Sequence, residues 1–179
     1  MKSILRSAVA GMAIASFGFA STASAATTDS ADVTAEILST LSVDIDLNAD
    51  TLDFGTIADS GIAAPTAVTV ASDGSLSSCG ASLVCAGTTA APTFNITGLT
   101  GALVGVSFVN PSETLTYGGV VPTGMTGTMS VGTFTNNLVG NQITLDGTDS
   151  FSVGGTLTVN PLQAPGVYNG TLSVSVAYN

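Results

Sequence analysis

Apolar and polar residues alternate in short runs along most of this chain. The runs cover Ala31–Ile37, Leu41–Leu47, Thr66–Val70, Thr93–Ile96, Val104–Phe108, Thr114–Tyr117, Thr128–Val131, Ile143–Leu145 and Phe151–Val159. A last run reaches the C-terminus, with Leu172, Val174, Val176 and Tyr178 on one side and Thr171, Ser173, Ser175 and Ala177 on the other. Side chains of a strand point alternately to its two faces, so each run predicts a strand with one apolar face. Helical periodicity is absent. Most runs are separated by turn-forming residues: Ser72-Asp73-Gly74, Asn110-Pro111, Gly118-Gly119, Asn136-Asn137 and Asp146-Gly147. The pattern predicts an all-β antiparallel sandwich, and the length suits one domain with a real core.

The final run ends on a long apolar strand that carries no charge. Sheet edges of this kind are normally paired, covered or blunted with charge. Either another part of the chain or another molecule is expected to cover it. Pro165-Gly166 reads as the turn leading into this strand, and Asn169-Gly170 as a bulge within it.

Residues 1–25 read as a secretory signal. Lys2 and Arg6 supply the charged start, Ala8 to Ala20 the apolar stretch, and Ala23-Ser24-Ala25 the cleavage site. The apolar stretch is too short for a membrane-spanning helix. The expected product is exported through the periplasm. It starts at Ala26, with an extension over residues 26–38 and a sandwich domain over residues 39–179.

Removal of the signal changes the electrostatics. Both cationic side chains leave with it, while all twelve carboxylates remain, giving a formal charge of −12. Nucleic acid is excluded as a partner, and anionic membrane surfaces are disfavoured. Two copies cannot pair through side-chain ion bridges. Self-association would have to use backbone pairing and apolar burial against net repulsion.

The same composition narrows the chemistry. Without His, Lys or Arg in the exported chain, no Ser–His–Asp triad, Ser–Lys pair, phosphate clamp or Schiff base can be assembled. Paired-carboxylate hydrolysis needs only acidic residues, but its aromatic sugar platforms are missing from a chain with no Trp and three Tyr. No enzymatic activity is expected. No cofactor or metal is expected either. Asp44, Asp46, Asn48 and Asp50 place oxygens at alternate positions like the start of a calcium loop, but the Gly and Glu of such a loop are replaced by Ala49 and Gly55. The wet face of a strand is the better reading. Asn95 and Asn169 match the glycosylation acceptor pattern, which carries little weight in a Ser/Thr-rich chain. Cys79 and Cys85, the only cysteines, predict a disulfide closing a small loop in an exported protein.

The two ends carry the functional expectation. Asp29–Ile37 alternates small or apolar residues with polar ones, and Leu38-Ser39-Thr40 breaks the phase before the next run. Such a segment can be the first strand of its own domain or can add to a sheet edge of another copy. At the other end Gly166 is fourteenth from the C-terminus and Tyr178 is penultimate. That spacing around an alternating strand resembles chaperone–usher pilus subunits. Leu52-Asp53-Phe54-Gly55, Val153–Val159 and Gln163–Gly170 together resemble exported bacterial proteins of domain of unknown function 4402, which are similar to spore-coat-protein-U-like, archaic-type pilins. The cysteine pair departs from pilins, which commonly bridge their first two strands.

The resemblance implies an immunoglobulin-like sandwich that is incomplete and is finished by a donor strand. It implies Ala31, Val33, Ala35 and Ile37 as the pocket-filling residues of that strand. Gly166, Tyr168, Leu172, Val174, Val176 and Tyr178 would line the C-terminal side of the groove. The implied partners are other pilin subunits, a periplasmic chaperone and an outer-membrane usher, without direct insertion in a membrane. The implied product is an extracellular fimbria. The alternative expectation is a self-complemented secreted or surface β-sandwich binding module whose residues 29–37 close its own sheet.

Overall fold

The structure, a computed structural model, describes Asp32 and residues 34–179. The expected signal peptide, Ala31 and Val33 lie outside the described residues. The chain divides between Glu36 and Ile37, and the strands all belong to the unit Ile37–Asn179.

Among the described residues thirteen strands follow in order: β1 (Ser42–Ile45), β2 (Thr56–Asp59), β3 (Thr66–Val70), β4 (Leu76–Cys79), β5 (Leu83–Ala86), β6 (Thr93–Thr97) and β7 (Leu103–Phe108), then β8 (Ser112–Tyr117), β9 (Thr128–Asn136), β10 (Gln142–Thr144), β11 (Thr148–Val159), β12 (Tyr168–Asn169) and β13 (Val174–Tyr178). A single 3-10 turn, Val139–Asn141, is the one helical element among the described residues. The large sheet runs β1-β6-β11-β9-β8-β12, with β3 also on β11 and β4 on β3. The opposing sheet is β10-β7-β13, and β2 pairs with β5 in a small third sheet. All of these strand pairings are antiparallel. The expected all-β sandwich is present, with its edges left incomplete.

Strand β11 organises the molecule. Thr148–Ser152 pairs with β6, Gly155–Val159 with β3, and Val153–Thr158 with β9. Its alternate residues Phe151, Val153, Leu157 and Val159 are all buried, so one strand supplies two cores. The first core gathers Leu157 and Val159 with Phe54, Val68, Val70, Leu83 and Val131. The second gathers Phe151 and Val153 with Phe94, Ile96, Val104, Val106 and Leu145. The phenyl rings of Phe94 and Phe151 stack 5.4 Å apart.

The junction of the two cores needs glycine. A Cβ on Gly154 would stand 2.5 Å from the Val70 carbonyl oxygen, where β3 turns away over the strand. A Cβ on Gly155 would stand 3.1 Å from the Phe134 ring and 3.2 Å from Leu52, which fill its place. The Cys79–Cys85 disulfide forms as expected, with its Cα atoms 6.1 Å apart. Although the loop is local, it ties β4 of the large sheet to β5 of the small one.

The C-terminal run is two strands rather than one. Tyr168 and Asn169 pair with β8 in the large sheet, and the chain crosses over Gly170–Ser173 before β13 pairs with β7 in the opposing sheet. A Cβ on Gly170 would stand 2.5 Å from Leu115 and 2.9 Å from the Thr114 carbonyl, so the crossing hugs β8. The bulge expected at Asn169-Gly170 is thus a change of sheet.

Candidate functional site

Two strand edges face solvent at the second core. Strand β1 pairs only with β6, and β13 only with β7. Among the described residues no backbone hydrogen bond joins β1 to β13. Their inner faces nevertheless meet in one cluster, which takes Leu41 and Val43 from one side and Leu172, Val174, Val176 and Tyr178 from the other.

The direction of the free backbone groups follows from the register. In an antiparallel pair, residues that exchange hydrogen bonds alternate with residues whose N–H and C=O point away. The Val109 N–H donates to the Ser173 carbonyl and the Asn179 N–H to the Leu103 carbonyl, so the odd residues of β13 face β7. The backbone groups of Val174, Val176 and Tyr178 therefore point to the open side. On β1 the Asp46 N–H donates to the Thr93 carbonyl, which turns Val43 and Ile45 outward in the same way. The residues that offer free backbone groups are those whose side chains line the apolar cleft.

Burial records the gap. Val104 and Val106, on the strand beside β13, are buried, whereas Leu172, Val174, Val176 and Tyr178 are only half-buried. On the β1 side Leu41 and Val43 are half-buried, and Ile45 is 36% exposed. Strands β1 and β13 approach within 8 Å Cα to Cα, less than the roughly 9.5 Å that an intervening strand needs, so a strand pairing with both edges would first have to part them.

Tyr178 marks one end of the cleft. Its hydroxyl donates to the Ser39 carbonyl at 3.1 Å and accepts from the Leu99 N–H at 2.8 Å. A Cβ on Gly98 would come within 2.7 Å of that hydroxyl, so the neighbouring glycine makes its room. Strand β1 begins beside this point and β13 ends there. The two edges therefore run in opposite senses, and an inserted strand is antiparallel to one and parallel to the other.

The sequence-based site residues separate into groups. Leu172, Val174, Val176 and Tyr178 come together against the second core. Gly166 and Tyr168 do not join them. Gly166 has φ +146° and lies under the Tyr117 ring, where a Cβ would be 2.2 Å from Cε2. The Tyr168 hydroxyl donates to the Ala164 carbonyl at 2.6 Å and accepts from Gln163 Nε2 at 2.9 Å. Its ring lies 5.5 Å from that of Tyr117. Both residues fix the corner from which the chain crosses to β13. Of the four donor residues, Ala35 and Ile37 are exposed and outside any strand, Ile37 at 94%. The cleft residues on β1, together with Gly98 and Leu99, were not singled out from sequence. Alternation over Leu41–Leu47 gave their face, but nothing marked that strand as an edge.

The acidic side chains are spread over separate turns and strands among the described residues. No group of three or more His, Cys, Asp or Glu converges among the described residues. Asp46 instead accepts from the Asn48 N–H at 2.9 Å, closing a turn after β1. The Leu52–Gly55 motif is likewise structural. Phe54 enters the first core, Asp53 accepts from the Gly55 N–H at 2.8 Å, and a Cβ on Gly55 would stand 2.6 Å from the Ala86 carbonyl.

No curated protein and no solved structure matches this chain. A family model does match, described as Domain of unknown function (DUF4402), over residues 43–178, from within β1 to the end of β13. That span covers most of the chain and both edges of the cleft, and the chain belongs to the DUF4402 family.

Proposed function

We propose that this protein is a structural subunit of an extracellular fimbria, exported through the periplasm and joined to its neighbours by donor-strand exchange. The observation that carries the reading is the apolar cleft between β1 and β13, flanked by unpaired backbone on both sides. The alternating residues Ala31, Val33, Ala35 and Ile37 of another copy are the strand that fills it. A periplasmic chaperone would occupy the cleft before assembly, and an outer-membrane usher would release the fibre. Those partners come from the likeness to chaperone–usher pilins set out above.

The energetics suit a subunit with no cations. Each backbone hydrogen bond to an inserted strand contributes roughly 0.5–1.5 kcal/mol, and burying Val33 or Ile37 roughly 1.5–3 kcal/mol each. Moderate salt weakens neither, while it screens the repulsion between subunits over about 8–10 Å. Filament mass measured by sedimentation should therefore hold or rise with ionic strength. Deleting residues 26–38 should abolish assembly at every salt concentration. Filaments that dissolve as salt rises, or that persist without residues 26–38, would overturn the reading.

A further inference from the structure

We propose that Asn169 is a self-modification site. Its side-chain amide is attacked by the backbone nitrogen of Gly170 and lost as ammonia, and the product loosens the crossing from β12 to β13. Water is the only co-reactant. The Gly170 nitrogen forms a bond to Asn169 Cγ, the Cγ–Nδ2 bond breaks, and the departing amide takes the Gly170 proton. Water then opens the resulting succinimide ring. Opening at Cγ leaves an ordinary aspartate. Opening at the main-chain carbonyl leaves an isoaspartate, whose backbone runs through the side chain and is one carbon longer. Either way a neutral side chain becomes a carboxylate.

The structure selects this position. Asn169 is exposed, and its side chain has no hydrogen-bond partner among the described residues. It ends a strand of two residues, so its backbone frees itself at little cost. The Gly170 N–H donates to no backbone carbonyl among the described residues, and glycine has no side chain to shield the nitrogen. Elsewhere the reaction is hindered. Asn110 and Asn160 precede prolines, whose nitrogens carry no proton. Asn95 precedes Ile96 inside β6, which is paired on both sides. After Asn48 and Asn141 the next N–H is already donated, from Ala49 to the Asp46 carbonyl and from Gln142 to the Val139 carbonyl. The Asn136 and Asn137 side-chain oxygens accept from the Leu138 and Ser152 N–H groups at 3.0 and 2.9 Å.

Gly170 is also where the change is felt. A Cβ there would stand 2.5 Å from Leu115 and 2.9 Å from the Thr114 carbonyl, so its backbone lies close on β8. One more carbon ahead of it pushes this residue out of its seat. It also slackens the link to Leu172, which is half-buried against the second core.

The test ages the purified, folded protein in warm neutral buffer and compares wild type with Asn169→Gln. Glutamine keeps the amide, but its extra methylene makes ring closure far slower. Isoelectric focusing should show wild type passing to a form with one added negative charge, and peptide mapping should place isoaspartate at position 169. The isoaspartyl form should melt below unaged protein by roughly 2–4 °C, the shift that a small local loss gives in a domain of this size. Asn169→Gln should keep its starting charge and melting temperature. Conversion at another asparagine first, or none at Asn169 until the protein is unfolded, would overturn the site. An isoaspartyl form that melts like unaged protein would overturn its effect on the crossing.

Discussion

The two cores of this domain use the same side-chain pattern and reach different ends. Around β3, β9 and the second half of β11, Val68, Val70, Val131, Leu157 and Val159 are all buried, with the β2–β5 strand pair and the disulfide beside them. Around β1 and β13 the same alternation leaves Val43, Val174 and Val176 half-buried. The difference is one of neighbours. Strand β11 is paired on both sides over Thr156–Thr158, whereas β1 and β13 each have a partner on one side. Alternation fixes which face is apolar; only strand order decides whether that face is covered.

The sharpest way to break this comparison is to truncate one residue in each core. Leu157→Ala should cost about 2–5 kcal/mol in chemical denaturation, the range for a sealed site that cannot collapse. Val176→Ala should cost only about 1 kcal/mol, because its side chain is already half in water. Comparable losses would mean that the cleft is as closed as the first core. Between these lies the disulfide. Replacing Cys79 and Cys85 by Ser should cost about 2 kcal/mol, the low end expected for so short a loop, and should leave assembly intact. Loss of assembly would show that the sealed core and the cleft are coupled.

The smallest effect concerns pH. Asp73, in the turn between β3 and β4, accepts from the Ser75 hydroxyl at 2.6 Å and from its N–H at 2.9 Å. The hydroxyl first and the N–H second hold this carboxyl below its ordinary value. A lowered carboxyl contributes stability above its unfolded value, and that contribution is lost as pH falls through the folded one. Asp73→Ala should therefore melt slightly below wild type at neutral pH, with the gap closing in acid. A gap that persists through the acid range would assign the effect to packing.

The strands legible in the sequence were those with branched apolar residues at alternate positions. Leu41–Leu47, Thr66–Val70 and Phe151–Val159 each contain an observed strand, although β11 begins three residues earlier, at Thr148. Strands β4 (Leu-Ser-Ser-Cys) and β5 (Leu-Val-Cys-Ala) leave no clear alternation in the sequence, and each takes its place from a backbone partner, β3 and β2 respectively. The two-residue strand β12 is too short to leave a pattern, and its place is set by Gly166 under Tyr117. For the cleft, the apolar side of β13 could be read directly. The reach of the Tyr178 hydroxyl to Ser39 could not, because it depends on where a distant loop places Leu99.

The way β1 is held bears on how the domain yields to tension. A pull applied through the extension meets the Tyr178–Ser39 hydrogen bond and then β1, which four residue pairs along one edge fasten. The next load-bearing element in that sheet, β6, leans on β11, which is anchored by three strands. Stretching should thus peel Leu41–Ile45 away and then meet a stiffer body. The length gained in that first step is about 17 Å for five extended residues. The Cys79–Cys85 bond lies beyond the peeled segment, so reduction should leave this first give unchanged and alter only the later unravelling. Such a strand behaves as a short spring in series with a rigid block, able to refasten when the load is removed.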